Sequence, residues 1–355
     1  MTAPTPLEQM TASAPAVLWN DSADPRELGQ SIAWGAVGAT CNPVIAVTCV
    51  KADLPRWQGR MREIAAARPT ATESQIGWQV VEEVSLEAAR MLEPAFARHQ
   101  GRNGRLSMQT DPRLHRDATA LADQAVYFSG LAKNIIVKIP ATATGLRAIE
   151  DATARGVSVN VTVSFSVPQA VATAEAIERG LAARERAGED TSHMGPVVTI
   201  MVGRLDDWMR DVVARDGVDI DPAYLQWAGV AAFKRAYEIF VERGFRARLL
   251  SAAFRTTLHW SEFVGGDVVI SPPFGWQEKI QASGVAATPR MHLPVDADIL
   301  AALQRIPDFQ RAYEPDGMTP ADFDTFGATR KTLRQFLGAD EELDHLVRDI
   351  LVPAP

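Results

Sequence analysis

Val157-Ser158-Val159-Asn160-Val161-Thr162-Val163-Ser164-Phe165 alternates without a break. Successive side chains of a strand point to opposite faces. Val157, Val159, Val161, Val163 and Phe165 therefore share one face, and Ser158, Asn160, Thr162 and Ser164 share the other. The alternation predicts a strand over 157–165, flanked by helical sequence, as in a parallel sheet. A strand of an open parallel sheet has helices on both sides and is apolar on both faces. A polar face here fits a barrel lumen that carries chemistry. The plainer reading is a set of strand-end residues in water.

Working outward, further strands are predicted over 16–21, 36–40 and 105–110, around Lys138, and over 197–202, 246–254 and 267–271. Helical patterns separate them. Leu54, Trp57, Met61 and Ile64 recur at three to four residues, Pro69 breaks that run, and a long helix follows from Thr72 to His99. In Thr40-Cys41-Asn42-Pro43, Pro43 is expected to stop regular structure. Eight strands alternating with helices predict an α/β fold of the (β/α)8 TIM-barrel type, with a helical insertion after strand 2 and a helical C-terminal extension. A doubly wound open sheet alternates in the same way. Polar residues on other strands (Ser107 and Gln109, Asn134 and Lys138, Ser251 and Arg255) favour the barrel. The expected organisation is a flexible N-terminus over 1–15, the barrel over 16–276, and a helical extension packed on it over 277–355.

The chain has 355 residues, of which 46% are hydrophobic and 23% charged, with a net charge of −8. This is globular composition, and the acidic balance argues against nucleic-acid and anionic-membrane partners. No apolar run is long enough to span a bilayer, and the start has no signal-peptide character. Two cysteines, Cys41 and Cys49, form no disulfide framework, so a cytoplasmic location is expected. The six histidines show no metal-ligand spacing, and Gly101, Gly104 and Gly145 form no dinucleotide fingerprint. No metal and no cofactor is expected. Cys41 is read as a small packing residue.

Lys138 lies inside Lys133-Asn134-Ile135-Ile136-Val137-Lys138-Ile139-Pro140-Ala141-Thr142, a β-branched apolar run. Only six lysines occur in the chain. A buried lysine is rare, and desolvation turns its amine into a nucleophile toward carbonyls. A lysine at a strand end with its amine in water is the alternative.

Six stretches, each at a predicted strand end, together resemble the transaldolase family over roughly residues 16–275. They are Leu18-Trp19-Asn20-Asp21-Ser22, Gly38-Ala39-Thr40-Cys41-Asn42-Pro43, Val137-Lys138-Ile139-Pro140-Ala141-Thr142, the run from Gly156 to Gln169, Val202-Gly203-Arg204-Leu205-Asp206-Asp207-Trp208, and Ala252-Ala253-Phe254-Arg255. The resemblance implies that Lys138 forms a Schiff base with a ketose and that Asp21 is the base for the hydroxyl whose proton leaves. Taken alone, Asp21 reads as a helix N-cap. The resemblance further implies that Asn42 and Asn160 bind substrate hydroxyls and that Thr162 places a water. Alone, Asn42 is a turn residue before proline and Thr162 an ordinary strand residue. Arg204 and Arg255 match phosphate-binding arginines, whereas surface ion pairing is the common fate of an arginine. Thr199 stands at a substrate-site serine.

The chain also departs from that family. Gln109 stands where most transaldolases carry an acid/base glutamate; glutamine holds a water but cannot take its proton. The related fructose-6-phosphate aldolases carry glutamine there, with a tyrosine at the position of Met201. Ala253 replaces a hydroxyl near the phosphate site. The resemblance implies a transferase of carbohydrate metabolism of the pentose phosphate type. It would move a three-carbon dihydroxyacetone unit from a ketose, free or phosphorylated, to an aldehyde. The partners would be small sugars or sugar phosphates and, for assembly, a second copy of the chain. An aldolase releasing free dihydroxyacetone and a sugar-phosphate-binding barrel without catalysis are the rivals.

Overall fold

The computed structural model describes residues 4–13 and 15–354. Eight parallel strands close in chain order: β1 (Val17–Asn20), β2 (Ala36–Cys41), β3 (Arg105–Gln109), β4 (Ile135–Pro140), β5 (Val159–Thr162), β6 (Val197–Ile200), β7 (Arg248–Ala252) and β8 (Val269–Ser271). Val17 pairs with Val269 and Leu18 with Ile270, so the sheet has no edge and the open-sheet alternative falls. Around it run α1 (Pro6–Ser13), α2 (Pro25–Ala33), α3 (Pro43–Ala52), α4 (Leu54–Ala67), α5 (Glu73–Arg98), α6 (Ala118–Ser129), α7 (Ala143–Ala154) and α8 (Val167–Arg186). They continue with α9 (Val202–Asp216), α10 (Ala228–Arg243), α11 (Leu258–Ser261), α12 (Phe274–Ala282), α13 (Ala297–Leu303), α14 (Pro307–Tyr313), α15 (Pro320–Phe323) and α16 (Gly327–Leu351). No described helix is long and apolar enough to cross a membrane.

The alternation on β5 is explained by two separate cores. Val159 and Val161 belong to the shell between strands and helices, with Ala170, Ala174 and Ile177 of α8. A second cluster fills the lumen with Trp19, Ile136, Val197, Leu250, Ala252 and Val269. The polar face of β5 looks into that lumen: Asn160 bonds to Ser107 of β3 and Thr199 of β6. Lumen-facing layers from alternate strands are the packing rule of this barrel.

Several local expectations are corrected. Pro43 opens α3 instead of stopping regular structure, because proline suits the first helical position and Asn42 caps the helix by accepting from the Ile45 N–H at 3.0 Å. β5 ends at Thr162, and Val163 follows with φ +51°. α9 begins at Val202, which puts Arg204 on a helix and not on a strand end. The N-terminal stretch expected to be flexible forms α1, because Leu7 and Met10 fall on one face and are buried. The Trp260 indole N–H meets Met10 Sδ at 3.2 Å; residues 1–3 and 14 of that stretch lie outside the described residues, as does Pro355.

Of the tail, α16 lies against α3, α4, α5 and α9. Arg348 pairs with Glu73 at 2.8 Å, Lys331 with Asp211 at 2.5 Å, and Lys51 with Glu342.

Candidate active site at the C-terminal mouth of the barrel

Lys138 stands in register with Gln109 on one side and Asn160 on the other, so the three share one level of the lumen. Its side chain is 4% exposed, and its amine has no hydrogen bond or ion pair among the described residues. Burial holds the amine below the ordinary lysine range; Asp21 and Cys41 oppose that shift, and Arg204 adds to it. An amine so placed is neutral more often at a given pH and therefore more nucleophilic.

Asp21 follows β1, its N–H bonded to Pro272 O at 3.2 Å and its carboxylate accepting from the Thr40 hydroxyl. It is not the helix cap. Asp24 takes that role, accepting from the N–H groups of Arg26 and Glu27 at 2.9 and 3.2 Å. β1 is fixed beside it: the Asn20 amide donates to Ser22 O at 2.9 Å and its oxygen accepts from Gln277 at 2.7 Å. Asp21, Asn42, Met201, Arg204, Ala253 and Arg255 line a cavity of about 400 Å³ at this mouth.

Below the cavity Asn160 uses one donor and one acceptor site, donating to Ser107 Oγ at 2.9 Å and accepting from Thr199 Oγ1 at 2.8 Å, which leaves one N–H and one lone pair free among the described residues. Its amide is thereby oriented before any ligand arrives. Thr162 is buried with a hydroxyl that has no protein partner among the described residues. Gln109 leaves its Oε1 buried and without a partner among the described residues. A buried acceptor without a partner is costly, which marks a place for a water or a ligand hydroxyl.

The two arginines differ. Arg204 reaches α16, donating from Nη1 to Gln335 Oε1 at 2.6 Å and Thr332 Oγ1 at 3.3 Å, while its Nε is buried without a partner. Arg255 pairs with Asp207 at 2.8 Å and donates to Ala253 O and Phe254 O at 3.1 and 2.9 Å. Ala253 itself has φ +61°, a conformation costly for a residue with a side chain. Its carbonyl sits where a Cβ on Gly203 would come within 2.0 Å, so glycine lets the Arg204 turn meet the Arg255 loop.

The structure adds residues that the sequence reading did not single out. Thr40 holds Asp21. Gln169 ties Phe165 N–H, Ala141 O and Val163 O together at 3.0, 3.0 and 3.1 Å, fixing the turn after Thr162. Thr40 and Gln169 lie inside the quoted motifs, which was their only signal. His259 is fully buried: it accepts from the Arg255 N–H at 3.1 Å and meets Asp206 at 2.9 Å. Cys41 is buried and its thiol pushed up to about 11 by desolvation, which fits packing rather than nucleophilic work. No group of three or more His, Cys, Asp or Glu able to hold a metal occurs among the described residues.

Comparisons with known proteins fit this geometry. A family profile described as transaldolase/fructose-6-phosphate aldolase matches residues 18–313. A protein of Thermobifida fusca named transaldolase is 34% identical over 256 residues, covering 70% of this chain and 69% of its own. Transaldolase 1 of Streptomyces avermitilis is 32% identical over 58% of this chain and 54% of its own, and a Parafrankia transaldolase 30% identical over 66% and 65%. The matched stretch thus spans less than two thirds of the latter two relatives. From the extent of the profile match, the chain belongs to the transaldolase/fructose-6-phosphate aldolase family.

Proposed function

We propose that this chain is a transaldolase-type transferase acting through a Schiff base on Lys138. The observation that carries the reading is the unpartnered, desolvated Lys138 amine, level with Gln109 and Asn160 and electrostatically coupled to Asp21. Nζ attacks the C2 carbonyl of a ketose, and loss of water leaves an iminium. The Asp21 carboxylate takes the C4 hydroxyl proton, the C3–C4 electrons flow into the iminium, and an aldehyde departs. The enamine left on Lys138 adds to a second aldehyde, Asp21 returns its proton, and hydrolysis frees the amine. Water enters and leaves between the Gln109 acceptor and the Thr162 hydroxyl; Gln109 orients that water without taking its proton.

Asn42, Asn160 and Thr199 meet the sugar hydroxyls. Arg204 and Arg255 take an anionic terminus, for which guanidinium forks are suited. The names of the relatives support transfer to an acceptor, in carbohydrate metabolism of the pentose phosphate type. We keep as a second reading an aldolase that releases free dihydroxyacetone, because the family profile covers both activities and Gln109 is the aldolase-like residue. Coupled assays with and without an acceptor aldehyde separate them: product formed only with acceptor excludes the aldolase. Borohydride reduction with fructose 6-phosphate or dihydroxyacetone, followed by peptide mass analysis, tests both; no adduct on Lys138 with any of a panel of ketoses leaves the non-catalytic binding barrel. A homodimer, a cytoplasmic location and the division near residue 276 belong to the same reading. Light scattering, fractionation and limited proteolysis test them in turn.

A further inference from the structure

The opposite end of the barrel holds two guanidiniums that form no ion pair among the described residues. Arg105 begins β3 and Arg248 begins β7. They have the strand parity of lumen-facing Ser107 and Leu250, so both enter the barrel from below. Arg105 is 4% exposed; its Nε donates to Gly101 O at 2.7 Å and its Nη2 to His193 O at 2.8 Å. Arg248 donates from Nη2 to Arg102 O at 3.0 Å and Asn103 Oδ1 at 2.9 Å. Neither has an ion pair among the described residues, whereas their neighbours do: Arg102 pairs with Asp267 at 2.6 Å, and Arg246 with Glu178 at 2.8 Å and with Glu185. Burial pushes both guanidiniums down to about 10; Arg248 adds to the shift at Arg105, while at Arg248 the charge of Asp267 opposes the shift and that of Arg102 adds to it. Two like charges near each other, neither in an ion pair and with Asp267 already shared with Arg102, are costly to desolvate unless a further counter-charge arrives.

Space for one is present. A cavity of about 510 Å³ is lined by Arg102, His193, Tyr237, Arg246, Arg248 and Asp267. A recess of about 300 Å³ adjoins it, lined by Arg105, Lys133 and Ser158; His193 and Gln100 border both. Lys133 has no ion pair among the described residues. Nε and Nη1 of Arg248 and Nη1 of Arg105 make no hydrogen bond there either, which leaves fork donors open. Gly195 keeps the surface low: a Cβ on it would come 3.2 Å from Arg105 Nε. This basic basin sits in a chain of net charge −8.

We propose that the floor of the barrel is a second binding site, for a small dianion of the phosphate class, held by Arg105 and Arg248 with Lys133 and His193 at its rim. Two guanidiniums without carboxylates match a doubly charged tetrahedral anion better than a single carboxylate. The site lies across the apolar lumen cluster from Lys138 and does not depend on the reaction proposed there.

The test begins with the variant Arg204→Met/Arg255→Met, which removes the arginine pair at the mouth. Calorimetric titration of that protein with inorganic phosphate, and separately with a simple phosphomonoester, at constant ionic strength is expected to show one saturable site. Preference for the ester assigns the site to an ester, and equal or tighter binding of the free ion assigns it to phosphate; either result sustains it. Adding Arg248→Met is expected to weaken binding at least tenfold. Adding His193→Glu, a change at the exposed rim that leaves the buried guanidiniums in place, is expected to do the same should Arg248→Met fail to fold. No saturable binding in the mouth variant, or binding unchanged by either floor substitution, overturns the site.

Discussion

The two ends of the lumen use the same strand parity for different purposes. At the mouth, Lys138 has no hydrogen-bond or ion-pair partner among the described residues, and Gln109 Oε1 and Arg204 Nε are buried and unanswered among them. At the floor, the buried guanidinium of Arg105 and the half-buried one of Arg248 tie down loop carbonyls at Gly101, His193 and Arg102. Trp19, Ile136, Val197, Leu250 and Val269 separate the two ends. Each unmade bond in a buried group costs about 1–3 kcal/mol. Several at the mouth mark groups held for a ligand, while the floor divides its guanidinium nitrogens between loop acceptors and open fork donors. A barrel permits this division because the loops at the C-terminal ends of its strands assemble chemistry at the mouth, while the N-terminal ends form a separate floor.

Lys138→Met breaks the comparison at its strongest point. Activity is expected to fall by ~10³-fold or more, with no borohydride adduct, and the melting temperature to rise, because a desolvated amine is replaced by an apolar chain of similar length. Arg248→Met is the mirror case at the floor. It is expected to leave turnover within about twofold and to cost ~0.5–1.5 kcal/mol in urea unfolding, since Arg102 O and Asn103 lose a shared donor. A variant pair in which the floor change lowers activity and the mouth change lowers stability would reverse the reading of the two ends.

Asp21→Asn comes next. Asparagine can still accept from Thr40, so the fold is expected to hold, while turnover falls by about 10²–10⁴-fold for loss of a general base. Gln109→Glu sharpens the comparison in the other direction by giving the mouth a second carboxyl. Burial raises the pKa of that carboxyl, so it is expected to speed turnover by about tenfold and to add a descending limb to the pH profile as the acid form is lost. An unchanged profile would show that the water does not sit at residue 109.

How much of this was legible in the sequence follows from the same division. The alternation at 157–165 gave the barrel because a closed sheet has two unlike faces, and Lys138 stood out because it breaks an apolar strand. The helix at Pro43 was not legible: a proline after a strand reads as a stop, yet it is also a good first helical residue once Asn42 caps it. The partners of the site were hidden for a different reason. Gln277 reaches Asn20 across 257 positions and Gln335 reaches Arg204 across 131, and no local pattern encodes a hydrogen bond of that separation. The free N-terminal stretch became α1 for a similar reason, since Leu7 and Met10 gain burial only when the distant Trp260 is in place.

The smallest effect concerns the rim of the mouth, where α16 meets the loop just after Gln109. Arg113 is shared there by Asp111, Asp340 and Asp344 at 2.6, 2.9 and 3.4 Å, and Trp78 donates to Asp340 at 3.0 Å. Burial, aided by the charge of Asp111, pushes Asp340 up to about 7, and Asp344 is raised as well. A carboxyl raised in the folded state binds more protons there than when unfolded, so stability increases as pH falls through 7 and the gain is complete near the unfolded value of about 4. Between pH 8 and pH 6 the gain is expected to be about 1 kcal/mol after allowance for screening. Asp340→Asn keeps a side chain of the same shape for Trp78, removes the titration, and is expected to flatten that part of the curve while raising stability at pH 8. Urea melts at the two pH values decide it: an Asp340→Asn protein with the wild-type slope would move the titration to Asp344 or away from this cluster. A flattened slope would mean that α16 grips the mouth more tightly in acid, where the floor, whose arginines stay charged throughout, does not respond.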